Sequence, residues 1–321
     1  MNTSKYLKGL AYGISYGLAA RAIFALETSE SALLPTYGLM TLSFMFLVPL
    51  AIGLLTAYHL DSITSASKIL IITMPIFSIL GLILITVLTG SEGLICAIMA
   101  IPIFAVMSLI GGFIGVNAFK RRKNDKTLVS LALLLPFLIA PIENLLGLQE
   151  KIFTETTSIT IQSDEQEIWQ QITRVNRISE DENNLTLFQF MGFPRPIEAE
   201  LDTVAVGGIR KAIFARGLFF TETVTEVIPH KVLAFTIQAD PNSIPPTALD
   251  QHVLVGGKYF DVMEGKYEIE NIGKDQVKLI LTSKFRLSTP FNFYSGLWSK
   301  FIMNDIQVNI LKIIKERSEK I

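Results

Sequence analysis

Side chains that could do chemistry are few in this sequence of 321 residues, which has three histidines and a single cysteine. His59, His230 and His252 have no second His or Cys at zinc-site spacing, and Cys96 lies in an apolar run. The motif H-E-x-x-H and a phosphate-binding Gly-rich loop are absent from the sequence. We therefore expect no metal, no cofactor and no identifiable catalytic residue, and the sequence leaves enzyme activity undecided while favouring a non-enzyme.

His252 is the histidine with the most suggestive surroundings. It lies in the Pro- and Gly-rich section ADPNSIPPTALDQHVLVGG (239–257), which is much longer than an ordinary hairpin loop. Asp250 precedes it by two residues, and Asp261 follows. One interpretation makes His252 a polar contact for a ligand. The other, which we favour, is a loop histidine bonded to backbone groups.

Two glutamates fall in a strand-like stretch, GLFFTETVTEVI (217–228), in which neither face is wholly apolar. If Glu222 and Glu226 point inward they need cationic partners, and Arg210, Arg216 or Arg286 on neighbouring strands could supply them. The alternative, which we favour, is that both glutamates form cross-strand pairs on the surface.

The chain that must position these residues divides into two halves of different composition. Overall, 50% of the residues are hydrophobic and 18% are charged, against about 25% charged in an average soluble protein. Charges are scarce before about residue 150 and ordinary after it, which indicates a membrane domain at 1–150 and a water-soluble domain at 151–321. A net charge of −1 gives no indication of a nucleic-acid partner.

The first half contains about five segments long and apolar enough to cross a bilayer of about 30 Å as helices. Those segments are residues 9–26, 33–58, 69–89, 93–119 and 127–147. Two charges fall inside them, Arg21 and Glu143. They either mark an ion or proton path or form structural contacts near the interface, and we favour the structural alternative.

The distribution of charge between these segments predicts their orientation. KRRKNDK (120–126) is the densest cationic cluster and should be cytoplasmic, whereas Glu27 and Glu30 suit the outer side. The final segment then carries the chain out of the cytoplasm, unless 127–147 is re-entrant. We expect an integral membrane protein with an extracytoplasmic C-terminal domain and the lipid bilayer as a partner.

The second half has the order strand, helix, polar loop, several antiparallel strands and a long final helix. The strand-like runs cover 153–162, 197–205, 209–216, 218–228, 231–238, 258–272 and 276–289. Asp164 and Glu167 give a capping signal for a helix at 163–175. The final helix, about 292–318, has an apolar stripe that we expect to cover the sheet, formed by Tyr294, Leu297, Trp298, Phe301, Ile302, Val308 and Leu311.

Residues 152–318 resemble the START/Bet v 1-like superfamily, also called SRPBCC or polyketide cyclase-like. The resemblance is carried by ITIQSDEQEIWQQIT, FTETVTEVIPHKVLAFTI, EGKYEIENIGKDQVKLILTSKFRLST and LWSKFIMNDIQVNILKIIKERSE, in that order. The membrane half resembles the N-terminal spans of some bacterial SRPBCC proteins, which implies that the protein lies in a bacterial inner or plasma membrane. The resemblance implies an α+β helix-grip fold, an antiparallel sheet around a long C-terminal helix, with a hydrophobic pocket for lipids, sterols or polyketides.

We therefore expect membrane-anchored binding of a lipid or other hydrophobic small molecule, which the domain would shuttle or sense, with 239–257 as a lid. The alternatives are a cyclase, dehydratase or hydrolase acting on a hydrophobic substrate, with His252 and a carboxylate as acid and base, and a non-catalytic module that binds a protein partner. The sequence does not indicate which protein such a module would bind. The candidate ligand-binding residues are Arg210, Phe214, Phe219, Glu222, Phe235, His252, Tyr259, Phe285 and Trp298.

Overall fold

The computed structural model describes residues 3–26, 38–61, 68–121, 126–145, 147–183, 185–239 and 254–319. Their contacts form two compact units, Met1–Gln149 and Glu150–Ile321. Glu27, Glu30, His252 and most of the 120–126 loop lie outside the described residues, as does most of the 239–257 section.

The described elements of the unit Met1–Gln149 are all helices. Its elements are α1 (Thr3–Phe24), a π-helical turn (Ser43–Leu47), α2 (Val48–Asp61), α3 (Lys68–Leu88), α4 (Leu94–Arg121) and α5 (Lys126–Leu145). Four described segments are long and apolar enough to cross a membrane: Ser43–Leu60, Ile69–Leu88, Leu94–Ala118 and Lys126–Glu143. Helix α1 covers most of the predicted span 9–26 and is not among the four.

Helices α2 and α4 pack backbone against backbone through glycines. A Cβ atom on Gly53 would lie 2.1 Å from the carbonyl oxygen of Ser108, and one on Gly111 would lie 2.1 Å from that of Leu50. Small residues at such crossings allow the close approach that stabilises helix pairs where water is absent.

The two charges noted in this unit have separate partners. Arg21 Nε donates to Glu92 Oε1 at 3.0 Å, and Arg21 also donates to the carbonyl of Ser91. Glu143 accepts hydrogen bonds from both the backbone N–H and the hydroxyl of Ser43, each at 2.9 Å, where the π-helical turn begins. Helix N-termini carry unsatisfied N–H groups, so Glu143 acts as a cap supplied by a distant helix. These contacts support the structural interpretation of both charges.

The unit Glu150–Ile321 is a curled antiparallel sheet with a long C-terminal helix, the helix-grip fold. Its strands are β1 (Lys151–Ile161), β2 (Arg174–Val175), β3 (Pro196–Leu201), β4 (Ile209–Phe214), β5 (Phe219–Ile228), β6 (Val232–Ala239), β7 (Phe260–Gly273) and β8 (Gln276–Leu287). They are ordered β1-β8-β7-β6-β5-β4-β3-β2. Helix α6 (Glu165–Thr173), the short α7 (Leu187–Phe190) and α8 (Asn292–Glu319) complete the unit.

Local sequence signals account for several of these boundaries. The Asp164 side chain accepts from the N–H of Glu167 at 2.7 Å and caps α6, as the sequence predicts. Thr186 and Gln189 form a capping box for α7, which falls in a region read from the sequence as loop. In the β5–β6 hairpin, His230 takes the left-handed conformation at φ 62° that closes the tight turn.

The apolar interior lies between the inner face of the sheet, α6 and α8. One buried cluster joins Leu311 and Ile314 of α8 to Leu233 and Leu279 of the sheet and to Trp169 of α6. A second, towards the start of β1, contains Phe285, Leu287 and Met303, with Phe153 packed against it. Burial of this kind contributes about 25 cal/mol per Å² of apolar surface and holds α8 against the sheet.

The face of α8 that meets the sheet is the predicted one at Leu311, which lies in the core cluster, but not in the first half of the helix. Leu297 and Phe301 are exposed, whereas Gly296, Ser299 and Gln307 are buried. The expectation that Leu297 and Phe301 cover the sheet is therefore wrong. The reason is that α8 buries small and amide side chains against β1 and β8, where hydrogen bonds satisfy them.

Candidate functional site

An ion pair lies inside the sheet, on adjacent strands. Arg210 of β4 is directly opposite Glu222 of β5, and Arg210 Nη1 donates to Glu222 Oε2. Both residues are buried, at 4% and 5% exposure, so the expectation of a surface position is wrong for Glu222. A β-bulge between Val224 and Glu226 changes the alternation, which leaves Glu222 inside and Glu226 exposed.

Aromatic rings surround this pair. The guanidinium carbon of Arg210 lies 5.3 Å from the centre of the Phe235 ring, within the range of a cation–π contact. Tyr267 is also buried, with its ring 6.2 Å from that of Phe235. The Phe235 ring lies against β7 because residue 265 is glycine, where a Cβ atom would lie 2.4 Å from the ring.

One hydrogen-bond donor of this group has no acceptor among the described residues. Arg210 Nε is buried and has no hydrogen-bond partner among the described residues. A buried unsatisfied donor costs about 1–3 kcal/mol, and more on a charged group. Such an atom therefore marks a place where a further acceptor would be stabilising.

Burial and charge set the protonation states in opposite directions. Burial raises the pKa of the Glu222 carboxyl, and the positive charge and hydrogen bond of Arg210 oppose that rise. Burial acts to lower the pKa of Arg210, but the negative charge and hydrogen bond of Glu222 outweigh it, so the guanidinium stays charged. Burial likewise raises the pKa of Tyr267, which keeps its phenol neutral. The group can donate hydrogen bonds inside an apolar interior, where charge-assisted bonds are strong.

A second polar group lies beneath α8, centred on Gln307. Its Nε2 donates to Ser283 Oγ at 2.9 Å and to the carbonyl of Glu155 at 3.2 Å. Its Oε1 accepts from Thr157 Oγ1 at 2.7 Å, and Asn304 donates to the same hydroxyl at 2.9 Å. Because the amide of Gln307 is fully used, this group anchors α8 to β1 and β8 rather than awaiting a ligand.

Arg286, another candidate partner for the glutamates, holds a loop instead. Its Nη2 donates to the carbonyl of Gly257 at 2.9 Å, and its Nη1 donates to Ser288 Oγ at 2.6 Å and to the carbonyl of Lys258 at 3.3 Å. Arg286 therefore fixes the C-terminal end of the section predicted to be a lid. Arg216 donates to the carbonyl of Gly192 at 3.0 Å.

The other predicted site residues are placed apart from the ion pair. Phe285 is fully buried beside Phe260, and the ring of Phe214 meets that of Phe220 edge-on at 5.4 Å. The ring of Tyr259 is buried, with Lys258 Nζ 5.1 Å from its centre.

Phe219 and Trp298 do not join the inner group either. Phe219 alternates with the buried Leu218 and Phe220 and lies on the outer face, where Lys211 Nζ is 4.7 Å from its ring. Trp298 lies on α8, in a cleft beside α7.

Of the nine predicted residues, the structure brings together three, namely Arg210, Glu222 and Phe235. Tyr267 completes the group and was missed by sequence reasoning. Its signal was the alternation of Tyr267 and Ile269 along β7, which places both inside.

Metal ligands do not cluster in the described ranges, where no three His, Cys, Asp or Glu side chains come together. His59 stacks on Tyr12 with ring centres 4.1 Å apart, and His230 lies 5.8 Å from Trp169.

Comparison with known proteins finds resemblance in three dimensions only, since no family model and no curated protein matches the sequence. An aromatase/cyclase, Zhui, from Streptomyces sp. R1128 is 14% identical, with a TM-score of 0.34 over 53% of this chain and 95% of its own. A START superfamily protein from Mycobacterium smegmatis is 11% identical, with a TM-score of 0.35 over 52% and 97%. Norcoclaurine synthase from Thalictrum flavum is 12% identical, with a TM-score of 0.32 over 54% and 88%. At such scores the resemblance carries no functional argument, and the site has to be interpreted from its own geometry.

Proposed function

We propose that the unit Glu150–Ile321 binds a hydrophobic or amphiphilic small molecule, such as a lipid, on the inner face of its sheet. The observation that carries this proposal is the buried Nε of Arg210, which has no acceptor among the described residues. A hydroxyl, carbonyl or carboxylate oxygen of a ligand would supply one. Glu222 already balances the charge of Arg210, so a neutral acceptor suffices.

The apolar part of such a ligand would lie along the neighbouring cluster. That cluster joins Leu218, which precedes β5, and Phe220 of β5 to Val255, with Phe260 and Val262 of β7 packed against it. A tail that buries several hundred Å² gains several kcal/mol at about 25 cal/mol per Å². Val255 belongs to the predicted lid, 239–257, which would cover the bound molecule.

The helical unit would keep this site close to its ligand. Four helices of suitable length and composition support insertion into a membrane, the proposed source of the ligand. Tethering a site to the bilayer raises its effective concentration there. The domain would then sequester, shuttle or sense a bilayer component on the extracytoplasmic side.

Photocrosslinking of the full-length protein in lipid nanodiscs tests this proposal. The probe is stearic acid with a diazirine in its chain, activated by light, and the adducts are mapped by peptide mass spectrometry. We expect adducts on inner-face residues such as Phe220, Phe235 and Tyr267. Adducts confined to the apolar helices and the outer surface of the domain would overturn the proposal.

A double variant tests the role of Arg210. Arg210→Met combined with Glu222→Leu removes the charged pair without leaving a lone buried charge. We expect it to lose most inner-face adducts, whereas Arg216→Met, at an exposed position, keeps them. Equal labelling of the double variant and the wild type would show that Arg210 does not recognise the polar group.

A further inference from the structure

Helix α8 presents an apolar stripe away from the sheet. Phe293, Leu297 and Phe301 follow one another at intervals of four residues, so they lie on one face of the helix. Their exposed fractions lie between 53% and 73%, although α8 buries polar side chains on its opposite side. This reversal means that the stripe does not serve the interior of the domain.

The short helix α7 continues this surface. Leu185, Leu187 and Phe190 are between 65% and 73% exposed. A cleft of about 310 Å³ separates α7 from α8 and is lined by Leu187, Phe188, Trp298, Phe301, Asn304, Asp305 and Val308. We define the α7–α8 apolar surface as the six exposed residues Leu185, Leu187, Phe190, Phe293, Leu297 and Phe301. It includes all three Phe side chains that are more than half exposed in the described part of 150–319.

The residues around the stripe are those that favour a membrane interface. Trp298 contacts the rings of Tyr294 and Phe301, with centres 6.5 Å and 6.4 Å away, and Lys300 is exposed on the same turn. Trp and Tyr concentrate at headgroup level, where one edge of the ring is apolar and the other wet. Lys beside them can reach the headgroups.

The chain itself limits how far the start of β1 can lie from the end of α5. The first turn of α8 packs on the start of β1, since a Cβ atom on Gly296 would lie 2.5 Å from the Phe153 ring. Strand β1 begins at Lys151, six residues after α5 ends at Leu145. Six extended residues reach roughly 20 Å, so this bound holds for any arrangement of the two units.

We propose that the α7–α8 apolar surface lies on the lipid bilayer, with its side chains at the boundary between headgroups and acyl chains. The proposal rests on the membrane insertion in the proposed function, but not on ligand binding. A surface helix of this kind inserts its apolar side chains about 5–10 Å into that boundary. The cleft between α7 and α8 would then face lipid instead of water.

The two tryptophans of the chain provide the test. Trp298 belongs to the cleft beside the surface, whereas Trp169 is buried in the core cluster with α6. Trp169→Phe and Trp298→Phe variants of the full-length protein are reconstituted in phosphatidylcholine vesicles with brominated or unbrominated acyl chains. Side chains inserted to this depth lie close to the brominated acyl chains. We therefore expect bromine to lower the fluorescence of Trp298 about twofold and to leave that of Trp169 nearly unchanged. The difference between wild type and Trp298→Phe reports Trp298 without altering the core.

Matched substitutions identify the surface responsible. Leu297→Glu with Phe301→Glu should reduce the quenching of Trp298, whereas Ile272→Glu should not. Ile272 is also exposed, but lies beside the β7–β8 turn, at the end of β8 that pairs with Ile161 rather than Lys151.

Equal quenching of the two tryptophans would overturn the proposal. So would protection of Trp298 from aqueous iodide without any effect of bromine, which would indicate a second copy or another protein on this surface. Inner-face photocrosslinking is a separate measurement, so the ligand proposal can fail while this one stands.

Discussion

At the scale of single residues, the buried Arg210–Glu222 pair shows what a sequence leaves open. Alternation predicted that Glu222 and Arg210 could meet on neighbouring strands. It could not decide the face, because β5 carries apolar residues on both sides and a bulge follows Val224. Tyr267 was missed for a related reason, since buried tyrosines and core aromatics give the same pattern along a strand.

The pair should affect stability through the cost of isolating one charge. Glu222→Leu leaves Arg210 buried without its counter-ion and should lower the free energy of unfolding by about 3–5 kcal/mol. Adding Arg210→Met should recover most of that loss, because a well-packed apolar pair often matches a buried ion pair. Urea unfolding of the full-length protein, followed by Trp169 fluorescence in a Trp298→Phe background, measures both.

The matched control for these variants is Glu226→Leu. Glu226 lies on the same strand beyond the bulge and is exposed, so its replacement should change the free energy of unfolding by less than about 0.5 kcal/mol. If Glu222→Leu behaves like Glu226→Leu, then Glu222 does not counterbalance a buried Arg210.

At the scale of elements, lengths were predictable and the faces of helices were not. The last helix was expected at about 292–318 and spans Asn292–Glu319, because its helical spacing and its ends are local features. Its buried face was missed, since Ser299 and Gln307 look like surface residues until β1 and β8 supply their partners. Helix α7 has only four residues, which is too short for the spacing of apolar residues to reveal a helix.

The loop before α7 is tied to α8 by a pH-sensitive contact. Arg317 donates to both carboxylate oxygens of Glu182, at 2.8 and 2.9 Å, and to the carbonyl of Asn176 at 2.9 Å. The hydrogen bond from Arg317 lowers the pKa of Glu182 from 4.5 to about 2, although burial opposes it. A carboxyl with a lowered folded-state pKa stabilises the fold above its unfolded value, and that contribution is lost as pH falls towards 2.

We therefore expect acid to release this loop from α8. Glu182→Gln should cost about 1 kcal/mol near pH 7, after allowing for solvent screening. The difference from the wild type should shrink as pH falls through about 2, the folded-state pKa of Glu182. Hydrogen exchange of residues 176–183 between pH 5 and pH 2 measures the release. The control is Glu180→Gln, because Glu180 pairs with Arg195 on the surface and does not contact Arg317. A constant difference in exchange between Glu182→Gln and wild type across this range would contradict the assignment.

At the scale of the whole molecule, the composition of the sequence anticipates two kinds of structure. A helical unit with four segments suited to a membrane precedes a helix-grip unit in the same chain. Such a division is predictable because hydropathy reflects the solvent of each half. The ligand is not, because one fold serves many functions and its identity depends on a few inner-face side chains such as Arg210.

Orientation of the chain is the prediction that tests the proposal at this scale. In a Cys96→Ser background, which removes the only cysteine, Ile272→Cys places a thiol on the C-terminal unit and Asn124→Cys places one in the cationic loop. With intact cells and a membrane-impermeant maleimide, we expect Ile272→Cys to be labelled directly and Asn124→Cys only after permeabilisation, since cationic loops stay cytoplasmic. The opposite result would place the proposed ligand site in the cytoplasm.

Labelling of both from one side would mean that α5, which contains Pro136 and Pro141, enters and leaves the bilayer on the same face. The α7–α8 apolar surface would then lie on the side where the cationic loop also lies, because six residues join α5 to β1, on which α8 packs.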